Sequence, residues 1–362
     1  MIPLIDAHLD LAWNAVSFNR DLTRSVTELR RHEMHMTDLP SRGHCTTSLP
    51  ELHRAGVAVC VATVLARGGP AQQPRPSYSR TDLDYANQAI AYANAQGQLA
   101  YYRLLEQQGR IRLLRTARDL DAHWQAWHQA DNEAPFGIIL SMEGCDPIVT
   151  PEQAEAWWND GLRAAGLTHY GRGHYGYGTG VEGPLSPQGA DLLRQFARLG
   201  IALDVTHLCD ESMAQALDIF DGTVLASHHN CRALVPGDRQ LTDAQIQRLV
   251  ERDAVIGTAL DGWMLYPGWQ RGVTSPDVVG LDAAADHIDH VCQIAGSARH
   301  AAIGSDLDGG FGADQTPRDL DTITDVQKLA AILASRGYTQ EAIEAIFHGN
   351  WLRFFRNALP EE

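Results

Sequence analysis

Short apolar runs rich in Val, Ile, Ala and Leu recur along the chain, and the segments between them carry apolar residues at helical spacing. Apolar runs bounded by turn residues read as strands of a parallel sheet covered on both faces. Eight such runs occupy residues 2–10, 57–65, 136–144, 166–170, 201–207, 223–228, 254–260 and 301–306. Residues 81–108, 186–199, 242–250 and 282–295 read as helices, the third opening on Thr242 as an N-cap. Strands alternating with helices mark repeated β-α units, and eight strands are what a (β/α)8 barrel requires. The expected fold class is therefore α/β, a (β/α)8 TIM barrel. Residues 321–335, 339–348 and 350–357 add C-terminal helices packed on that barrel. No low-complexity linker or repeat divides the chain, so residues 1–362 are expected to form one domain.

Two segments have loop composition. Residues 67–79 are rich in Gly and Pro, and residues 169–183 hold six glycines among Tyr170, His174, Tyr175 and Tyr177. Loops like these at the mouth of a barrel form a lid or a specificity wall, or are inert surface.

Composition narrows the function classes. With 44% hydrophobic and 20% charged residues the chain resembles an ordinary soluble enzyme rather than a disordered protein. A formal charge of -16 repels phosphate backbones and anionic lipid, so neither nucleic acid nor a membrane surface is expected as a partner. No signal-peptide pattern and no membrane-length apolar run is present, and a cytoplasmic location is expected. The six cysteines have no CxxC spacing and read as reduced, mostly buried thiols. Cys145 lacks an evident base partner, so thiol nucleophile chemistry ranks low.

Polar residues stand where the strands of a barrel end. His8 and Asp10 close strand one and share a face, because strand side chains alternate. Strand three ends in Glu143, strand four in His169, strand five in His207, strand six in His228 and strand eight in Asp306. Barrel active sites lie at those ends, so the side chains converge. Taken singly, a histidine at a strand end is usually structural. A carboxylate preceded by an apolar run, as Glu143 is, costs free energy unless it is paired or metal-bound. Seven such residues at one end of six strands point to a metal site of imidazole and carboxylate donors, suited to Zn2+ or a similar ion. That inventory exceeds one metal and fits two. Lys328 is the only lysine and lies in the C-terminal helical region, which leaves Glu143 as the candidate bridge.

The motifs DAHLD, SMEG, LTH, DVTH, SHHN and GSDLDG, with the closing GNWLRFF, resemble in order and spacing the membrane dipeptidase family, peptidase family M19 of the amidohydrolase superfamily. The resemblance implies that His8 and Asp10 hold one metal, His207 and His228 the second, and that Glu143 bridges them. His169 matches the histidine that polarises the substrate, and Asp306 the aspartate that transfers the proton. Arg239 matches the arginine that grips the substrate carboxylate. His229 is left as a neighbour of the ligand, and Asp6 and Asp204 as supporting acceptors. Asp308 shares the strand-end face with Asp306, and the resemblance favours Asp306.

The activity implied by the resemblance is that of a dinuclear zinc dipeptidase using a metal-bridging hydroxide on a small peptide substrate, L,L or L-Xaa-D-Xaa. The resemblance leaves a homodimer open. Many members end the second strand in a Phe-Trp-Ser type segment. Here residues 62–69 read ATVLARGG, so Arg67 is expected to place a positive contact in the substrate pocket. Two other readings stand beside this one: another amidohydrolase acting on N-acyl amino acids or related amides, and a metal-containing binding protein without catalysis.

Overall fold

The computed structural model describes residues 1–68, 83–130 and 134–362. Eight parallel strands appear in chain order: β1 (Leu4–Leu9), β2 (Val57–Val64), β3 (Phe136–Glu143), β4 (Leu162–Gly166), β5 (Ala202–Asp204), β6 (Val224–Leu225), β7 (Ile256–Thr258) and β8 (Ala301–Ile303). β1 to β6 pair with their neighbours in one sheet, a bridge between Ala226 and Ile256 leads to β7, and β7 pairs with β8. Every residue of these strands is buried, as expected where helices cover the outer face and side chains fill the interior. The result is the (β/α)8 barrel that the periodicity anticipates.

Each crossover carries helix. Helices Gln88–Gln107 and Ala117–Gln129 separate β2 from β3, Pro187–Leu199 separates β4 from β5, and Leu281–Ala295 leads to β8. Helix Asp243–Glu251 begins at Thr242, whose capping box with Gln245 matches the reading of that residue as an N-cap. Beyond β8, helix Asn350–Ala358 closes the base of the barrel. Asn350 Nδ2 donates to Ala301 O at 2.8 Å and Trp351 Nε1 to Ile303 O at 3.0 Å. Among the described residues no helix is long and apolar enough to cross a membrane.

The structure differs from the sequence reading in four places. The fourth strand runs over Leu162–Gly166 rather than 166–170. Arg163 in its middle masks the pattern: it is buried, donates to the carbonyls of Arg115, Trp158 and Leu162, and lies 4.6 Å from the Trp158 ring. The later strands stop two to three residues before the predicted ends, because His207 and Asp306 adopt left-handed backbone, φ 68° and 59°. A short strand Ile111–Leu113 pairs with β3 where none is predicted. The predicted helix 81–108 begins only at Gln88 after an Asn87 N-cap, and its first two residues lie outside the described ones, as does the 67–79 loop beyond Gly68.

Two buried carboxylates join strands whose backbones do not supply every bond. Asp6 Oδ1 accepts from His8 N at 3.2 Å and from Ser305 N at 2.8 Å, crossing from β1 to the chain after β8. Asp204 Oδ1 accepts from Thr206 N and Ser227 N, both at 3.0 Å, tying the end of β5 to that of β6. Each therefore fixes the backbone next to a strand-end histidine. Asp204→Ala would leave two buried N–H donors without their acceptor. We expect a loss of about 2–4 kcal/mol in denaturant unfolding, with Asp204→Asn, which keeps an acceptor oxygen, losing about half as much or less. Equal losses for the two variants would show that the acceptor is not what matters.

Candidate metal centre

Six of the eight strand-end and loop residues singled out from the sequence, Asp10, Glu143, His169, His207, Arg239 and Asp306, line a cavity of about 950 Å3. His8 and His228 are buried against them. Glu143 is the hub. Its Oε1 lies 3.1 Å from His207 Nε2, 3.3 Å from His228 Nε2 and 3.5 Å from His8 Nε2, while Oε2 lies 3.9 Å from His169 Nε2. His8 Nε2 also stands 3.7 Å from Asp10 Oδ2 and 3.8 Å from Asp306 Oδ1. Strand ends thus bring together residues up to 298 positions apart in sequence.

Supporting bonds orient the rings. His207 Nδ1 meets Thr179 Oγ1 at 3.0 Å, and His228 Nδ1 meets Ser227 Oγ at 2.8 Å. Asp10 accepts from Thr63 Oγ1 through its other oxygen. Asn14 Nδ2 donates to Asp10 O and to Asp308 O, both at 3.0 Å, so it links the ends of β1 and β8. The glycine-rich segment 169–183 is part of this support rather than a free lid. Thr179 N donates to His169 O at 3.2 Å, and Gly178 packs so closely that a Cβ there would meet His169 O at 1.8 Å.

Whether these donors fit a cation depends on their lone pairs. His207 Nε2 and His228 Nε2 face each other at 3.3 Å, and His8 Nε2 is buried with no hydrogen-bond partner among the described residues. Three overlapping donor groups lie within 4.8 Å: His8, Asp10 and Glu143; Glu143, His207 and His228; His8, His228 and Asp306. Imidazoles anchored at Nδ1 and aimed at a common point through Nε2 are how metal ligands are held. The residues present fit divalent cations.

The electrostatics without a cation are strained. Burial pushes Glu143 up to about 8, with Asp10 adding to the shift against His8 and Arg239. Burial opposes an imidazolium at His8, but Glu143, Asp10 and Asp306 outweigh it and push His8 up to about 10. His207 and His228 are held well below the usual histidine range by burial, with Arg239 contributing at both. Burial also holds Asp306 far above the usual carboxylate range, helped by Glu143 and Asp10. A divalent ion would favour ionised carboxylates and neutral imidazoles.

Other residues sort by position. Asp308 accepts from the backbone and hydroxyl of both Thr46 and Thr47 at 2.7–3.0 Å and is buried away from the cavity, while Asp306 lines it. Gly309 makes room for that: a Cβ there would stand 1.9 Å from Asp306 Oδ1. Arg239 is buried, donates through Nη2 to His228 O at 3.0 Å and keeps Nη1 without a partner among the described residues. Lys328 is spent on Asp325 and the Asp319 carbonyl and is not among the residues that line the cavity. Cys145 donates to Gly166 O at 3.1 Å, and burial raises its thiol well above the usual range, so it is no nucleophile.

Sequence reasoning missed the cavity walls. Trp13, Phe18 and Leu65 form an apolar cluster in the cavity wall, and Trp263 and Trp269 line the cavity with Met264. The available signal was position, since Trp13 follows Asp10 by three residues and Trp263 follows Asp261 by two.

Known proteins give the same frame. Residues 1–360 match the family described as membrane dipeptidase, peptidase family M19. An uncharacterized dipeptidase of Schizosaccharomyces pombe is 28% identical over 224 residues, 60% of this chain and 52% of that protein. Several of the curated dipeptidases it matches are likewise aligned over about half their length. The crystal structure of a metallopeptidase described as dipeptidase AC of family M19 superposes with a TM-score of 0.80 at 22% identity, covering 99% of this chain and 98% of that one. A metallopeptidase from Rhodobacter sphaeroides, liganded with a phosphinate mimic of the dipeptide L-Ala-D-Ala, superposes with a TM-score of 0.77 at 22% identity, covering 99% of both chains.

The geometry leads to two expected outcomes. Adding a divalent ion to chelator-treated protein should raise its melting temperature, and Glu143→Ala should abolish the rise; an equal rise in both would place the binding elsewhere. In a crystal structure of Gly309→Ala the Asp306 carboxylate should be displaced from His8, and an unmoved carboxylate would contradict the packing described.

Proposed function

The chain belongs to the membrane dipeptidase family, peptidase family M19, and from that membership we propose that it is a dinuclear zinc dipeptidase, cleaving L,L and L-Xaa-D-Xaa dipeptides. The observation that carries the reading is the pairing of two unsatisfied elements in one cavity: the donor set around Glu143 and the buried, unpartnered Nη1 of Arg239. A free guanidinium donor beside a metal centre is the recognition element for a terminal carboxylate. Holding that carboxylate so near the reacting groups limits the substrate to very short peptides. The Rhodobacter sphaeroides relative with its L-Ala-D-Ala mimic supports acceptance of a D-residue at the C-terminal position.

We assign His8 and Asp10 to one metal, His207 and His228 to the other, and Glu143 to both. Two zinc ions held there would supply a water of lowered pKa and a Lewis acid for the substrate carbonyl. The chain's own groups do the rest. Arg239 fixes the carboxylate and with it the register of the scissile bond. His169 Nε2–H donates to the carbonyl oxygen as negative charge develops there. Asp306 accepts the proton of the attacking water and passes it to the leaving nitrogen. The whole chain acts as one domain in this reading. Its six cysteines, all free and buried, accord with a reducing, cytoplasmic setting.

A second reading rests on the cavity. At about 950 Å3, with apolar wall surface, it has room for an N-acyl amino acid as well as a dipeptide.

The deciding experiment is hydrolysis of L,L and L,D dipeptide panels by protein of counted metal content. We expect about two metal ions per chain and release of free amino acids, lost on chelation and restored by zinc. Asp306→Asn should lower kcat by about 10²–10⁴-fold with metal content intact. Arg239→Met should act mainly on KM, raising it about 10–100-fold. Fully loaded protein that ignores every dipeptide but hydrolyses N-acyl amino acids would transfer the site to the second reading.

A further inference from the structure

Three residues beyond the end of β2 stands Arg67, and its surroundings show what it does. Residues Arg67–Gly68 pair in parallel with Asp84–Tyr85, and Arg67 N donates to Leu83 O at 2.9 Å. Gly68 N donates to Asp146 Oδ2 at 3.0 Å, while Asp146 Oδ1 takes His174 N at 3.0 Å. The backbone under Arg67 is therefore held from two sides. Its guanidinium is held too. Nε donates to Asp84 Oδ1 at 2.7 Å and Nη2 pairs with the same carboxylate. Nη1 reaches His169 Nδ1 at 3.3 Å and Tyr170 O at 3.4 Å.

The direction of that contact is forced. An arginine side chain has only donors, so His169 Nδ1 must accept, and the ring proton of a neutral His169 then sits on Nε2. Nε2 is the nitrogen facing Glu143 Oε2, at 3.9 Å, on the cavity side. Arg67 also differs from Arg239. Arg239 offers a buried, unpartnered donor to a ligand, whereas Arg67 directs its donors at Asp84, His169 and Tyr170. Arg67 lines the cavity, as the expectation of a positive residue in the pocket requires, but its donors are engaged within the protein.

We infer that Arg67 is a positioning residue: by tying His169 Nδ1 it aims His169 Nε2–H at the substrate carbonyl oxygen, with Asp84 as its anchor. The inference rests on the dipeptidase reading for the identity of that oxygen, and on geometry alone for the tie between Arg67 and His169.

The test combines Arg67→Met, Arg67→Lys, His169→Asn and the Arg67→Met/His169→Asn double variant, each at wild-type metal content. Arg67→Met should lower kcat about 10–100-fold, with KM within about threefold, and equally for dipeptides with neutral, acidic or basic side chains. Arg67→Lys, which keeps a donor, should recover most of that loss. In the His169→Asn background Arg67→Met should cost less than about twofold, because the effect passes through the missing ring. In ¹⁵N spectra of substrate-free protein the Nδ1 resonance of His169, identified by its absence in His169→Asn, should move when Arg67 is replaced.

A KM increase confined to acidic dipeptides would make Arg67 a substrate contact and overturn the proposal. So would an undiminished loss in the His169→Asn background, or an unmoved Nδ1 resonance. If Arg67→Met does not fold, Asp84→Asn loosens the same guanidinium without removing it, and should shift kcat and the Nδ1 resonance in the same directions by smaller amounts. Wild-type protein inactive on every dipeptide would sink the dipeptidase reading, leaving the ¹⁵N comparison, which needs no substrate, to decide on Arg67.

Discussion

One carboxylate oxygen, Glu143 Oε1, lies within 3.5 Å of three imidazole nitrogens in a place almost closed to water. Removing such groups from water is costly, and the cost is met only where each has a partner held at a fixed distance. A flexible frame would let the groups drift apart and hydrate. The barrel prevents that by taking each group from a different strand, so that none can leave without breaking a sheet. Asp6 and Asp204 serve the same end: each carboxylate holds the backbone beside a strand-end histidine.

The cavity above this hub is uneven in chemistry. Beside the donor set stands Arg239 with an unused donor, and beside His169 stands Arg67 with its donors engaged. The two cations have the same charge but different work, because hydrogen-bond accounting, not charge, decides what an arginine offers to a ligand. Trp13, Phe18 and Leu65, together with Trp263, Met264 and Trp269, give the cavity aromatic and aliphatic wall surface. Excluding water there strengthens each polar contact at the floor of the cavity.

Most of the frame was legible in the chain because parallel strands are buried on both faces and so leave continuous apolar runs. Where that rule was broken, the reading slipped. Arg163 interrupts β4 because its guanidinium is satisfied by three carbonyls that no local pattern shows. Strand ends were placed too late at His207 and Asp306, since a left-handed residue looks no different in sequence from an extended one. The choice of Asp306 over Asp308 was open to residue spacing and was made by resemblance to a family. In the fold Asp308 is consumed by Thr46 and Thr47, and Gly309 clears the space for Asp306.

Apart from Arg239, which resemblance to a family supplied, the sequence by itself determined the barrel, the strand ends at which polar groups gather and the residues that now stand around one cavity. It did so because strand periodicity and donor chemistry are local properties. Tertiary structure alone decided how those groups use their bonds: that Glu143 is the hub, that Arg239 keeps a donor open, that Arg67 turns to His169, and that Trp263 and Trp269 are walls. Those outcomes depend on distances between residues far apart in the chain, and on which partner satisfies a donor first, neither of which spacing along a sequence can encode.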